Sequence, residues 1–409
     1  MKSWTLKNNA QLFYEPKALP HLSSIHIVIE RGSFKEPIHG LAHLVEHATA
    51  ITSGFAFDSS ATEKSGDVLE HFNASTSLTE TSYSLGALNE DFTRLSTKLL
   101  DDVFVTPLSD AGITHDKDVI ARELIEQRPQ ETPIQIATKK FISTYFGSTW
   151  YEYDGIGTKK SVLGTPNDAV HAFRREANVP ANAKIFIAGQ VRRADFEMIF
   201  DKIESYTKSP ASDVGKVPFS LPTKPITLDS RIPINAELAY LQIAFEKPNV
   251  IMTDGLAYGV IAQTLFSGDG RLMTLFREKL RASYDIQSSP INFVDATGQY
   301  LRIPCHPDNV EQTRTLLFEE FVKVSSQGLR DSELARIQKR LKIDSLSERS
   351  SSNWDVIKNM AGAVKYGADT KQYLAAMGRI RNDEIIHTAR RYLPTQDSPY
   401  VMQVIRHSE

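Results

Sequence analysis

One cysteine, Cys305, occurs in 409 residues, so no disulfide can form within the chain. That composition suits a reducing compartment, and the opening MKSWTLKNNAQLF has neither an apolar signal core nor an Arg/Ser-rich amphipathic character, so a cytoplasmic location is expected. No apolar run nears the roughly 18 residues that a membrane helix requires, which argues against a spanning segment. An excess of basic charge is also missing. Lys and Arg number 47 against 50 Asp and Glu, a net charge of −3, and without a basic field nucleic acid is not an expected partner.

What is present is ordinary for a large globular chain: 41% hydrophobic and 24% charged residues, enough for two or three cores. Gln11 to Glu15 and Ser24 to Glu30 read as strands, followed by a buried helix from Gly40. The Thr/Ser/Tyr alternation of Asn73 to Leu85 reads as one further strand. Helical patterns follow at about 90–105, 114–127 and 132–146, then a Pro-initiated helix to about Ala177, a buried strand over Asn182 to Gly189 and a helix over about 193–204.

Four prolines, at 210, 218, 222 and 225, interrupt any period between 208 and 228. Beyond them the order of elements repeats, although residue-level similarity between the halves is weak. The expected architecture is α+β, with two similar domains, each a mostly antiparallel sheet with helices on one face. The expected division is a domain over 1–207, a linker over 208–228 and a homologous domain over 229–409 that lacks metal ligands.

His43-Leu44-Val45-Glu46-His47 carries the chemistry. Side chains four apart on a helix share a face, so the two imidazoles can converge on one ion, and Glu46 projects close enough to act on a water without being a ligand. A hydrolytic zinc site takes three protein ligands and leaves one position open. The third ligand is sought in DKDVIARELIEQ, where spacing alone leaves both Glu123 and Glu126 eligible.

The HLVEH motif behind Gly40-Leu41-Ala42, the Asn73-Ala74-Ser75-Thr76-Ser77 segment with Thr81 and Tyr83, and VIARELIEQ together resemble the pitrilysin/insulinase family of inverted-motif zinc metallopeptidases, which includes the mitochondrial processing peptidases. The chain looks like a short, two-domain bacterial type. In that family the third ligand follows the second histidine by about 75–77 residues, and Glu123 stands 76 beyond His47. The resemblance therefore implies one zinc per chain on His43, His47 and Glu123, with Glu46 as general base. It places Asp116 in support of the site, where the family usually has a longer glutamate. His39 and His71 are not expected to be ligands.

The same resemblance implies that Asn73 and Ala74 bind substrate backbone, and that Arg277 and Tyr284, in LFREKLRASYDIQ, reach the substrate from the second half. It further implies a four-domain chamber, hence a homodimer or a heterodimer with a homologous subunit, acting on peptides or unfolded precursor segments. Two features depart from the family: Val68-Leu69-Glu70-His71-Phe72 replaces a glycine pair, and Ala48-Thr49-Ala50 follows the motif. These bear on substrate preference more than on metal binding. A non-catalytic subunit that completes a partner's chamber is the alternative, and a zinc hydrolase of non-peptide substrates is a more distant one.

Overall fold

The computed structural model describes residues 1–409 except 17–18, 56–67, 127–131, 154, 214, 250–252, 281–285, 293–296, 348–351, 368–375 and 409. The chain forms two compact units. The first comprises 1–130, 153–217 and 349–361; the second comprises 131–152, 218–348 and 362–409.

In the first unit the strands are β1 (Lys2–Thr5), β2 (Gln11–Glu15), β3 (Leu22–Ile29), β4 (Leu69–Thr76), β5 (Thr81–Leu88) and β6 (Ala183–Gly189), in the sheet order β1-β2-β6-β3-β5-β4. Only the β2/β6 pair is parallel. Its helices are α1 (Leu41–Thr52), α2 (Asn89–Phe104), α3 (Asp110–Glu126), α5 (Lys159–Gly164), α6 (Asn167–Ala177) and α7 (Arg193–Ser205), with α4 (Pro133–Phe146) belonging to the second unit. Alternation along β3 sends Ile25, Ile27 and Ile29 to one face, where they pack with Leu12, Tyr83, Leu85, Ile185 and Ile187 in the main core. A second core lies around α1, where Leu41, Leu44, Val45 and Ala48 meet Ile113, Ile120, Val170 and Phe173.

The second unit has β7 (Ile226–Ile232), β8 (Ala239–Glu246), β9 (Gln287–Asn292), β10 (Thr297–Cys305) and β11 (Val401–His407), ordered β7-β11-β8-β10-β9. Its helices include α8 (Thr253–Phe266), α9 (Arg271–Leu280), α10 (Val310–Gln327), α11 (Asp331–Ser347) and α13 (Asn382–Tyr392), and α12 (Asn353–Tyr366) begins in the first unit and ends in the second. Numbering the last five strands of each unit in chain order gives the same arrangement, 1-5-2-4-3, with strands 1 and 5 parallel in both. The α+β reading with two similar halves therefore holds, and the repeat resides in topology.

Three sequence expectations need correction. The run Asn73 to Leu85 is not one strand but the hairpin β4–β5, turned at Ser77 to Glu80 by the Ser77 hydroxyl, which donates to the Glu80 carbonyl and accepts from its N–H. Strand propensity is blind to such a turn when every residue in it also suits a strand. The linker 208–228 contains the start of β7, which pairs in parallel with β11 nearly at the chain's end. Lastly, the division is not contiguous. Phe141, Tyr145 and Phe146 of α4 are buried with Ala244, Tyr300 and Val401 of the second unit, while Asn353 hydrogen-bonds the Leu22 carbonyl in the first. Apolar burial, not chain order, assigned both segments.

Candidate metal centre

Gly40 precedes α1 with φ 90°, a left-handed conformation that a side chain resists, and a Cβ there would lie 2.7 Å from the Ile156 carbonyl oxygen. The helix start is secured by Glu36. Its carboxylate accepts from the Gly40 and Ala42 N–H groups, 2.7 Å each, placing negative charge on the helix N-terminus, and the Tyr153 hydroxyl donates to it at 2.6 Å. Leu41, Ala42, Leu44, Val45 and Ala48 fix the apolar face of α1 in its core. His43, Glu46 and His47 are thereby held within a buried setting, their side chains only 13%, 7% and 18% exposed.

The two imidazoles stand edge to face, 4.5 Å between centroids. Helix α3 packs across α1 and brings Glu123 Oε2 to 3.5 Å from His47 Nε2, while Glu46 Oε2 lies 3.8 Å from His43 Nε2. One donor atom from each of His43, His47 and Glu123 lies within 4.8 Å of the others, and this is the one such His/Cys/Asp/Glu group among the described residues. Tetrahedral zinc with bonds near 2.1 Å separates its ligands by about 3.4 Å, so modest side-chain rotation closes the set. Burial pushes His47 down to about 4, leaving a neutral imidazole with its lone pair available at pH 7. Two neutral-capable imidazoles and one carboxylate form a zinc-type donor set, and these residues fit the ion.

Glu46 sits beside this set with a different electrostatic setting. Burial raises its carboxyl to about 7, opposed by the Thr76 hydroxyl that donates to Oε2 at 3.0 Å and reinforced by the nearby Glu123 charge. A carboxylate poised near neutrality is suited to exchange protons. Asp116, two helical turns before Glu123 and hence on the same face of α3, is fully buried, neither carboxylate oxygen has a hydrogen-bond partner, and burial raises it to about 7. Among the described residues this carboxyl therefore has no group to offset its burial, and the neutral form is favoured.

Of the other residues singled out by sequence, Asn73 is exposed and Ala74 half-buried on β4, the edge strand of its sheet, which also carries Thr76. His39 stacks on Tyr153 at 4.3 Å, and His71 approaches Glu70 and the Trp354 ring. Arg277 is exposed in the last turn of α9. Tyr284 lies outside the described residues, as does the side chain of Glu126. Sequence reading missed Thr76 and Glu36 as contributors. Thr76 was signalled only by its alternation along β4, and Glu36 by an acid just upstream of the helix start.

Fold and site together define an α+β protein of two topologically repeated units, one of which presents a two-histidine, one-glutamate cluster with the buried Glu46 carboxyl beside it. Residues 13–153 match the insulinase (peptidase family M16) model and residues 166–341 the peptidase M16 inactive-domain model, and together these support the M16 peptidase family for this chain. All four residues of the centre lie in the first match, and none in the segment described as inactive.

A probable mitochondrial-processing peptidase subunit beta of Arabidopsis thaliana is 22% identical over 277 residues, covering 64% of this chain and 50% of that protein, so the chain aligns with about half of its relative's length. A protease from Helicobacter pylori has TM-score 0.80 at 18% identity over 99% of both chains. A structure described as a peptidase M16 inactive domain, from Pseudomonas fluorescens, has TM-score 0.82 at 17% identity over 100% of this chain and 98% of its own. These two likenesses are of fold.

Proposed function

We propose that the protein is a zinc-dependent endopeptidase, carried by one observation: three metal-type donors converge beside a buried carboxyl raised to about 7. His43, His47 and Glu123 would hold the ion. Bound there, zinc would act as a Lewis acid and bring the pKa of a water towards about 7. The Glu46 carboxylate would accept a proton from the attacking water and return it to the leaving amine. Thr76, hydrogen-bonded to Oε2, holds the carboxyl in position for both transfers. Asp116, buried on the same face of α3 as Glu123, would support the site from behind that ligand.

The exposed edge of β4 offers unpaired backbone groups to an extended peptide, which would add as a strand beside Asn73 and Ala74. Arg277 and Tyr284 would complete substrate binding from the second unit. A homodimer, or a heterodimer with a homologous subunit, would enclose peptides or unfolded precursor segments. The related plant protein is named as a processing-peptidase subunit, which supports that substrate class and a paired assembly.

The alternative, a non-catalytic subunit, draws support from the inactive-domain match and from the Pseudomonas structure's description. The complete donor set with its base favours catalysis. Glu46→Gln tests the reading: zinc content should stay near one per chain while peptide cleavage falls by a factor of order 10³ or more. Unchanged cleavage, or loss of the metal in that variant, would overturn the assignment of Glu46.

A further inference from the structure

The repeated topology shows what occupies the second unit at the place where the first unit has its metal ligands. The helix after the second strand of each repeat reads Gly40-Leu41-Ala42-His43-Leu44-Val45-Glu46-His47 in one and Gly255-Leu256-Ala257-Tyr258-Gly259-Val260-Ile261-Ala262 in the other. A similar hydrogen bond precedes the helix in each unit: Thr81 donates to the Arg31 carbonyl at 2.9 Å, and Thr297 donates to the Lys247 carbonyl at 2.7 Å. Aligned on Gly-Leu-Ala, Tyr258 stands where the first unit has His43 and Ala262 where it has His47, and Lys247, like Arg31, is the residue whose carbonyl accepts from the threonine.

A cavity of about 380 Å³ lies within the second unit, lined by Lys247, Tyr258, Ala262, Phe266, Ser288 and Gln299 among others. That size is in the range of small-ligand sites. Its polar groups are arranged. Gln299, 2% exposed, donates to the Ser288 hydroxyl at 3.0 Å and accepts from the Tyr258 hydroxyl at 3.4 Å.

Lys247 and Arg31 differ in one decisive respect. Arg31 is neutralised: its guanidinium pairs with Glu176 at 3.4 Å, donates to the Gly32 and Phe34 carbonyls and lies over the Phe173 ring. Lys247 is 5% exposed, and its ammonium has a single long bond, 3.5 Å to the Pro248 carbonyl, with no carboxylate within ion-pairing distance among the described residues. Burial lowers it to about 8, so at pH 7 it is still a cation, held out of water with no counter-ion among the described residues.

We propose that this cavity binds a carboxylate ligand, with the Lys247 ammonium as its counter-ion and the Tyr258 and Ser288 hydroxyls on its polar wall. A single cation matches a monoanion better than a dianionic phosphate, which would carry excess charge into a buried site. Apolar walls at Ala262 and Phe266 accept the carbon chain attached to the carboxylate. The inference goes beyond the peptidase reading and does not depend on it.

The test uses the full chain, with and without a chelator, and three probes: an N-acetylated tripeptide ending in leucine as the free acid, the same tripeptide as its C-terminal amide, and butyrate. Calorimetric titration should show the acid binding roughly 10-fold or more tighter than the amide, and Lys247→Met should erase the difference. Independently, in the unaltered protein, the acid and not the amide should slow acetylation of Lys247 by limiting acetic anhydride, read by mass spectrometry. This second measurement decides the matter if Lys247→Met does not fold. Protection by butyrate equal to that by the tripeptide would identify small carboxylates as the ligand; stronger protection by the tripeptide would identify a peptide C-terminus. Equal binding of acid and amide, a preference that survives Lys247→Met, or an unprotected Lys247 would each overturn the proposal. Because binding is read in the chelated protein too, a failure of the metal-site reading would leave this result standing.

Discussion

The two units share one strand order and one helix-start sequence, Gly-Leu-Ala, yet one corner of that scaffold bears His43, Glu46 and His47 and the other Tyr258, Ile261 and Ala262. Backbone topology therefore does not confer the chemistry. In the first unit the corner holds three metal-type donors, His43, His47 and Glu123, with the buried Glu46 carboxyl beside them, a set suited to a cation. In the second the corner is a cavity whose one buried charge, Lys247, requires an anion. The difference teaches that a repeated fold supplies a position, and the burial of unpaired charge at that position specifies the sign of what binds there.

The sharpest way to break the comparison is to alter matched positions. His47→Ala should abolish both metal binding, measured as zinc per chain, and peptidase activity, a loss of order 10³ or more. Ile261→Val, at the counterpart of Glu46, should leave turnover unchanged and cost only about 1 kcal/mol in stability, because it trims a fully buried methylene. Comparable losses of turnover would mean that the second corner is part of the reacting centre.

On α3, Asp116→Asn should reduce metal affinity or activity by about 10–100-fold, the range of groups that support ligands, whereas Glu123→Gln should cost more and Glu126→Gln almost nothing. A large effect at Glu126 would shift the third ligand to that residue.

Arg31 and Lys247 offer a contrast of sign in stability. Arg31→Met removes a guanidinium whose partners are satisfied and should destabilise the fold by about 2–3 kcal/mol in denaturant titration. Lys247→Met removes a buried, unpaired cation and should be neutral or stabilising by up to about 1 kcal/mol. Destabilisation by both would show that Lys247 has a structural partner.

A smaller effect concerns acid stability. His26, on the sheet face opposite the main core, meets the Trp354 ring at 5.0 Å, and burial lowers it to about 4, with the neighbouring His71 also lowered. The unfolded chain takes up this proton below its ordinary value near 6.5, while the folded protein does not until about 4. Stability should therefore be insensitive to this group above pH 6.5 and fall by about 1.4 kcal/mol per unit between 6.5 and 4. His26→Gln should flatten that part of the stability profile; an unchanged slope would assign it to other groups, such as His71.

Much was legible without coordinates. Helix α1 was visible because its apolar run excludes Pro and is broken over Leu41–Ala48 only at His43, Glu46 and His47, and the match of β2 to Gln11–Glu15 followed from strand propensity bounded by turn residues. Less was legible where one signal served two structures. The β4–β5 hairpin hid in a continuous strand-like run, and β7 hid among prolines because its pairing with β11 is made with residues more than 170 positions away. Pairing at that distance leaves no local periodicity.

By itself the sequence determined that two histidines share one face of one helix, since the pitch of an α-helix is fixed by backbone geometry and places residues four apart on one face. It also determined that two α+β halves follow one another. Only the tertiary structure decided that Glu123 meets His47, that α4 packs in the second unit, and that among the described residues Asp116 is buried without a hydrogen-bond partner and Lys247 has no carboxylate where Arg31 has Glu176. Each of these is a matter of which distant segments exclude water together. Desolvation and charge pairing act through space, so their outcome is not written in any local stretch of the chain.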